Sequence, residues 1–111
     1  MKRGLLLGLI VFLAIAVPAV IAGKGDAAKG KTLYTSKCAT CHGPGGEGKD
    51  AIAKMMKVEL KHLGSKEVQG KTDAQFVEII AKGSGKMKPV TGLKDAEVAD
   101  IIAFVRTLTK K

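Results

Sequence analysis

The sequence predicts an all-α fold of three to five helices, and three observations carry that prediction. Apolar residues recur at helical spacing in two stretches: Phe76, Ile79 and Ile80 in one, and Val98, Ile101, Ile102, Val105 and Leu108 in the other. No stretch alternates at the two-residue period of a strand. The pentapeptide Cys38-Ala39-Thr40-Cys41-His42 has the C-x-x-C-H spacing at which two cysteine sulfurs bond covalently to a porphyrin and the histidine ligates its iron. The helices are therefore expected around one covalently bound haem c.

On a helical turn Cys38, Cys41 and His42 stand at i, i+3 and i+4 and share one face. Both sulfurs and the imidazole can then meet a single flat ring. The competing readings use these residues less well. A structural zinc site needs four ligands, and the chain offers only one further histidine, His62, and no further cysteine. A dithiol redox pair belongs beside a βαβ pattern. A disulfide across Ala39 and Thr40 closes too short a loop to gain much, and it gives His42 no role.

The N-terminus has the layout of a secretory leader. Met1-Lys2-Arg3 is positive, Leu5 to Val17 is apolar apart from Gly8, Pro18 breaks the run, and Val20-Ile21-Ala22 precedes Gly23 as a cleavage-like triplet. Residues 1–22 are expected to be a signal peptide that sends residues 23–111 to the periplasm. The competing reading is an uncleaved anchor, because Gly4 to Ala22 is 19 residues, the lower end of the spanning range. Removing Lys2 and Arg3 from the 19 basic residues leaves 17 against 10 acidic ones, a formal +7. With Arg106 as the only remaining arginine and Tyr34, Phe76 and Phe104 as the only remaining aromatics, nothing favours base readout or stacking on nucleic acid. The lysines make either an ordinary solvated surface or a positive field that steers acidic partners. An 89-residue mature chain is also near the size at which a core alone is marginal. A tethered macrocycle would add the missing apolar mass.

Taken in order, Asp26 is placed to cap a first helix through Leu33 and Tyr34 into the haem motif. Gly30 costs that helix about 1 kcal/mol relative to alanine, which asks for a packing reason. Gly43 to Lys49, with four glycines and a proline, is a loop. From Ala51 to Leu63 a loosely amphipathic helix is expected, with Ile52, Met55, Met56 and Leu60 inward. Thr72 and Gln75 form a capping-box pattern before Phe76, Ile79 and Ile80, and Gly83 ends that helix. Gly83 to Pro89 is irregular. A last helix follows, with Leu93 and Val98 stapling its start, Asp95 and Glu97 in its first turn, and Lys110 and Lys111 beyond its end.

Together these features resemble a small bacterial class I monohaem cytochrome c across residues 24 to 108. The residues that carry the resemblance are Cys38-Ala39-Thr40-Cys41-His42, the glycine-rich loop after them, Met87 and Pro89, and Ile101-Ile102-Ala103-Phe104-Val105-Arg106. The resemblance implies a small cytochrome c fold whose first and last helices cross, with Gly30 and Tyr34 facing Ile101 and Phe104. It also implies His/Met ligation of the haem iron. His42 is one ligand, and the candidates for the other are Met87, Met55, Met56 and His62. Met87 is favoured because it lies 45 residues beyond His42, in a glycine-rich loop before the last helix. Two departures stand out. No proline lies between Pro44 and Pro89 to offer a carbonyl to the ligand imidazole, and Lys88 intervenes between Met87 and Pro89.

The function implied is that of an exported, monomeric carrier of single electrons between redox proteins with acidic docking surfaces, rather than an enzyme. Lys37, Lys49, Lys86 and Lys88 would supply a basic rim. The alternative is a haem protein with an open sixth site, acting as a gas sensor or redox enzyme, for which His62 is the one available distal group.

Overall fold

A computed structural model describes residues 25–109. The expected signal peptide, residues 1–22, and the terminal Lys110 and Lys111 lie outside the described residues. Among the described residues there are six helices and no named strand: α1 (Ala27–Lys37), α2 (Ala39–His42), α3 (Asp50–Met56), α4 (Lys66–Gln69), α5 (Asp73–Lys82) and α6 (Asp95–Arg106). None of them is long and apolar enough to cross a membrane.

The frame is the crossing of α1 and α6. Asp26 caps α1 through its side chain, which accepts from the N–H groups of Ala28 and Lys29. Its own N–H donates to Asp100 Oδ1 at 2.7 Å, so the start of α1 is pinned to the middle of α6. The costly glycine has its reason here. A Cβ on Gly30 would stand 1.8 Å from the Asp100 carbonyl oxygen, so the two backbones approach as only glycine permits. One turn on, the rings of Tyr34 and Phe104 meet with centroids 5.0 Å apart, tilted by 54°. Tyr34, Ile101 and Ile102 are each 1% exposed and form the deepest part of the core. Burying side chains of this size contributes about 1.5–3 kcal/mol each. The expected contact of Gly30 and Tyr34 with Ile101 and Phe104 is thus present.

The other long helix, α5, carries the capping box read from the sequence. The Thr72 hydroxyl accepts from Gln75 N–H at 3.1 Å, and the Gln75 side chain accepts from Thr72 N–H at 2.8 Å. Phe76 and Ile80 are buried and Ile79 is half-buried. At the start of α6, Glu97 accepts from Lys94 N–H at 3.0 Å, while Val98 is buried and Leu93 packs against the core.

Two segments differ from expectation. The helix expected over 51–63 is seven residues long and ends where Lys57 takes a left-handed conformation (φ 55°, ψ 48°). It buries nothing fully, and Met55, expected inward, is 72% exposed. Residues 58–65 are irregular, and α4 follows, a single turn not foreseen. Ser65 caps α4, and Gln69 donates to the carbonyls of Leu63 and Val105. Arg106 completes this junction. Its guanidinium donates to the Gln69 and Lys71 carbonyls and to Asp73, and it lies 4.6 Å above the Phe76 ring.

Candidate functional site

The haem-motif residues lie on one turn because the chain breaks and restarts its helix at Cys38. Cys38 N–H still donates to Tyr34 O at 2.8 Å, yet its φ of −117° takes it out of α1 and makes it the residue before α2. From there Cys41 and His42 both donate N–H to Cys38 O, at 3.3 and 3.0 Å. Cys38, Cys41 and His42 therefore stand on one turn at the expected spacing, and all three are half-buried.

The glycine-rich loop closes back onto this turn. Gly48 N–H donates to His42 O at 2.6 Å and Lys49 N–H to Cys41 O at 3.0 Å, so the carbonyls a helix end leaves unpaired are satisfied. From the other side the buried Tyr34 hydroxyl donates to Gly43 O at 2.6 Å. The backbone on both sides of the imidazole is thus fixed. Sequence reasoning gave Tyr34 a place in the helix crossing but missed this second role, which no local pattern announces.

His42 Nδ1 is buried and has no hydrogen-bond partner among the described residues. An unpaired buried ring nitrogen costs about 1–3 kcal/mol. Burial also lowers the pKa of the ring below the ordinary histidine value, which keeps it neutral, the form that ligates a metal. Burial likewise pushes the Cys38 thiol up, against the smaller opposing effect of Lys37. A neutral imidazole flanked on one turn by two half-buried thiols is the donor set that a covalently tethered haem uses. No acceptor among the described residues reaches Nδ1, the nitrogen whose N–H would fix the tautomer of an imidazole ligating through Nε2, which matches the missing proline. Among the described residues no three His, Cys, Asp or Glu side chains converge as a metal cage.

Of the candidates for the second ligand, Met87 is the most constrained. Ser84 and Met87 exchange reciprocal backbone hydrogen bonds at 3.0 and 2.9 Å, closing a four-residue turn. Gly83 makes this possible: its φ is +76°, and a Cβ there would lie 2.4 Å from Met87 O. Val90 N–H donates to Ile80 O at 2.8 Å, which holds the far side of the turn against α5. Met87 itself is half-buried, whereas Met55 projects into solvent and Met56 is half-buried on α3. His62 is half-buried, and its Nδ1 accepts from Gly64 N–H at 2.8 Å.

Comparison with known proteins agrees with this arrangement. The cytochrome c family model matches residues 27–109. The chain is 32% identical over 89 residues to cytochrome c-554(547) of Halothiobacillus neapolitanus, covering 76% of this chain and 98% of that protein. It is 32% identical over 106 residues to cytochrome c6 of Rippkaea orientalis, covering 93% of this chain and 89% of the other. Among solved structures it is similar to the c-type cytochrome KustC0563, with a TM-score of 0.64 at 28% identity, across 73% of this chain and 98% of that one. With its helical fold, crossed first and last helices and haem-attachment motif, the chain belongs to the cytochrome c family, as a small class I electron-carrying cytochrome with one covalently bound haem c.

Proposed function

We propose that the mature chain works outside the cytoplasm as a carrier of single electrons between redox proteins, with Cys38 and Cys41 tethering the haem and His42 and Met87 as its axial ligands. The observation that carries this reading is the one-turn arrangement of Cys38, Cys41 and His42, with the imidazole held neutral by burial. When bound, the haem supplies a one-electron ferric/ferrous couple, and a methionine opposite a histidine raises its potential. The residues of the chain supply rigidity. Gly48, Lys49 and Tyr34 hold the backbone around His42, and the closed Ser84–Met87 turn holds the backbone at Met87. Fixed ligands need little rearrangement when the charge of the site changes. With His42 and Met87 as both axial ligands no position would be left on the iron for a substrate, which favours carriage over catalysis.

Lys37, Lys49, Lys86 and Lys88 are exposed and near these residues in sequence. They would steer a redox partner whose docking surface is acidic. The test is the ferric absorption spectrum of the exported, haem-loaded protein. It should show a long-wavelength methionine-to-iron charge-transfer band that Met87→Ala abolishes. A band that persists in that variant moves the ligand elsewhere, and rapid cyanide or carbon monoxide binding by the parent protein favours the open-site alternative. Export with cleavage predicts Gly23 as the first residue of the purified protein.

A further inference from the structure

The Met87 turn is bound to the rest of the molecule unequally on its two sides. On one side it follows α5 directly, with Gly83 packed beneath Met87 O and Val90 hydrogen-bonded to Ile80 O. On the other side, among the described residues, one hydrogen bond joins residues 83–89 to α3. Lys86 Nζ donates to Met56 O at 2.6 Å, across 30 residues of sequence. The acceptor is available for a local reason. Lys57 turns left-handed and ends α3, so the Met56 carbonyl has no donor further along the helix. Lys86 supplies a charged donor, which makes a stronger hydrogen bond than a neutral one.

We infer that Lys86 is a positioning residue for the sixth ligand: its ammonium ties the Met87 turn to the end of α3 and holds the Met87 thioether at the iron. This rests on Met87 as the axial ligand. The lever is short and stiff. Lys86 and Met87 are neighbours inside a turn whose ends, Ser84 and Met87, are closed by two backbone hydrogen bonds. Gly85 within the turn has a φ of +55° and no atom near its Cβ position, so nothing packs on the turn at that point. Without the tie, the turn can swing away from α3 about its anchorage on α5. The bond from sulfur to iron would then carry more of the load opposing that motion.

The experiment measures how fast added imidazole displaces the sixth ligand in the ferric, haem-loaded protein, read by loss of the charge-transfer band. Lys86→Gln removes the charge and the full reach of the side chain. Lys82→Gln removes an equal charge from the preceding helix end, where the lysine pairs with Glu78 at 3.5 Å. Lys86→Arg keeps both charge and donor. Displacement should be about tenfold faster in Lys86→Gln, equivalent to about 1.4 kcal/mol, within twofold of the parent in Lys82→Gln, and largely restored in Lys86→Arg. Equal rates in Lys86→Gln and Lys82→Gln would reduce the effect to charge and overturn the tie, as would an unchanged rate in Lys86→Gln. If instead Met87→Ala retains the band, the ligand assignment has failed, and the tie with it, a result distinguishable from the others by its spectrum.

Discussion

Replacing Gly30 by alanine gives the sharpest test of the helix crossing. The added Cβ would lie 1.8 Å from Asp100 O, 2.4 Å from Asp100 C and 3.0 Å from Ile101 N. Ordinary contact begins at 3.4 Å, so the nearest pair is short by 1.6 Å, the difference of 3.4 and 1.8. All three atoms are backbone of α6, and no side-chain rotation relieves them. The helices must part, and a gap of even about 0.5–1 Å forfeits a quarter to a half of the dispersion energy across it. Tyr34, Ile101, Ile102 and Phe104 all sit at that seam. Alanine's better helix propensity returns about 1 kcal/mol, against a clash at or beyond the upper end of the about 1–3 kcal/mol usual for overpacking, because backbone must move. We expect a net loss of about 3 kcal/mol, which for a domain of this size lowers Tm by about 12 °C or more. Thermal unfolding of the haem-loaded protein by far-ultraviolet circular dichroism measures it, with Ser36→Ala on the exposed side of α1 as the control for helix propensity. A Gly30→Ala protein that unfolds with the parent, or above it, would refute the close approach of α1 and α6.

Four further outcomes follow from the same structure. Tyr34→Phe removes the donor to Gly43 O and should cost about 1–2 kcal/mol in denaturant unfolding; a neutral result would deny that bond any role in holding the loop. Burial, chiefly, raises the Tyr34 pKa well above its ordinary value of about 10. The folded chain thus keeps that proton where the unfolded chain releases it, and this contribution, whole below about pH 10, is lost as the pH climbs further. Because Tyr34 is the one tyrosine of the chain, its tyrosinate absorption should appear only together with the loss of helical dichroism. Arg106→Lys should destabilise by about 2–4 kcal/mol, because a compact ammonium lacks the planar fork that spreads separate nitrogens towards Gln69 O and towards Lys71 O and Asp73; urea unfolding checks this, and a lysine variant as stable as the parent would show that charge alone matters there. Electron transfer to an acidic redox partner should slow as salt is added, and stopped-flow rates independent of ionic strength would remove the lysines from docking.

What could be read from the sequence was what short-range rules determine. The Cys38–His42 turn, the Asp26 cap, the Thr72–Gln75 box and the buried faces of α5 and α6 each depend on residues within one or two turns of each other. The crossing at Gly30 was accessible through family resemblance and through the cost of a glycine in a helix. The segment 51–63 misled because Ile52, Met55, Met56 and Leu60 have roughly helical spacing, while Lys57 in a left-handed conformation ends the helix. Exposed Met55 then loses the partner the pattern implied. The single turn α4 is too short to show periodicity, and its hold comes from Gln69 reaching Val105 O, 36 residues away. Lys86 and Arg106 were hidden for the same reason. Each looks like one more surface cation until the fold brings the Met56 carbonyl or Asp73 to it.

The bond from Asp26 N–H to Asp100 Oδ1 spans 74 residues. Closing so long a loop carries an entropic cost that grows slowly with length but must be met before the contact repays it. During synthesis the first helix therefore waits for nearly the entire polypeptide before its permanent neighbour exists. A protein that receives a porphyrin covalently on its thiols gains from that delay. The thiols stay reachable until the last helix arrives, and shortening the chain by that helix should leave a product that never closes.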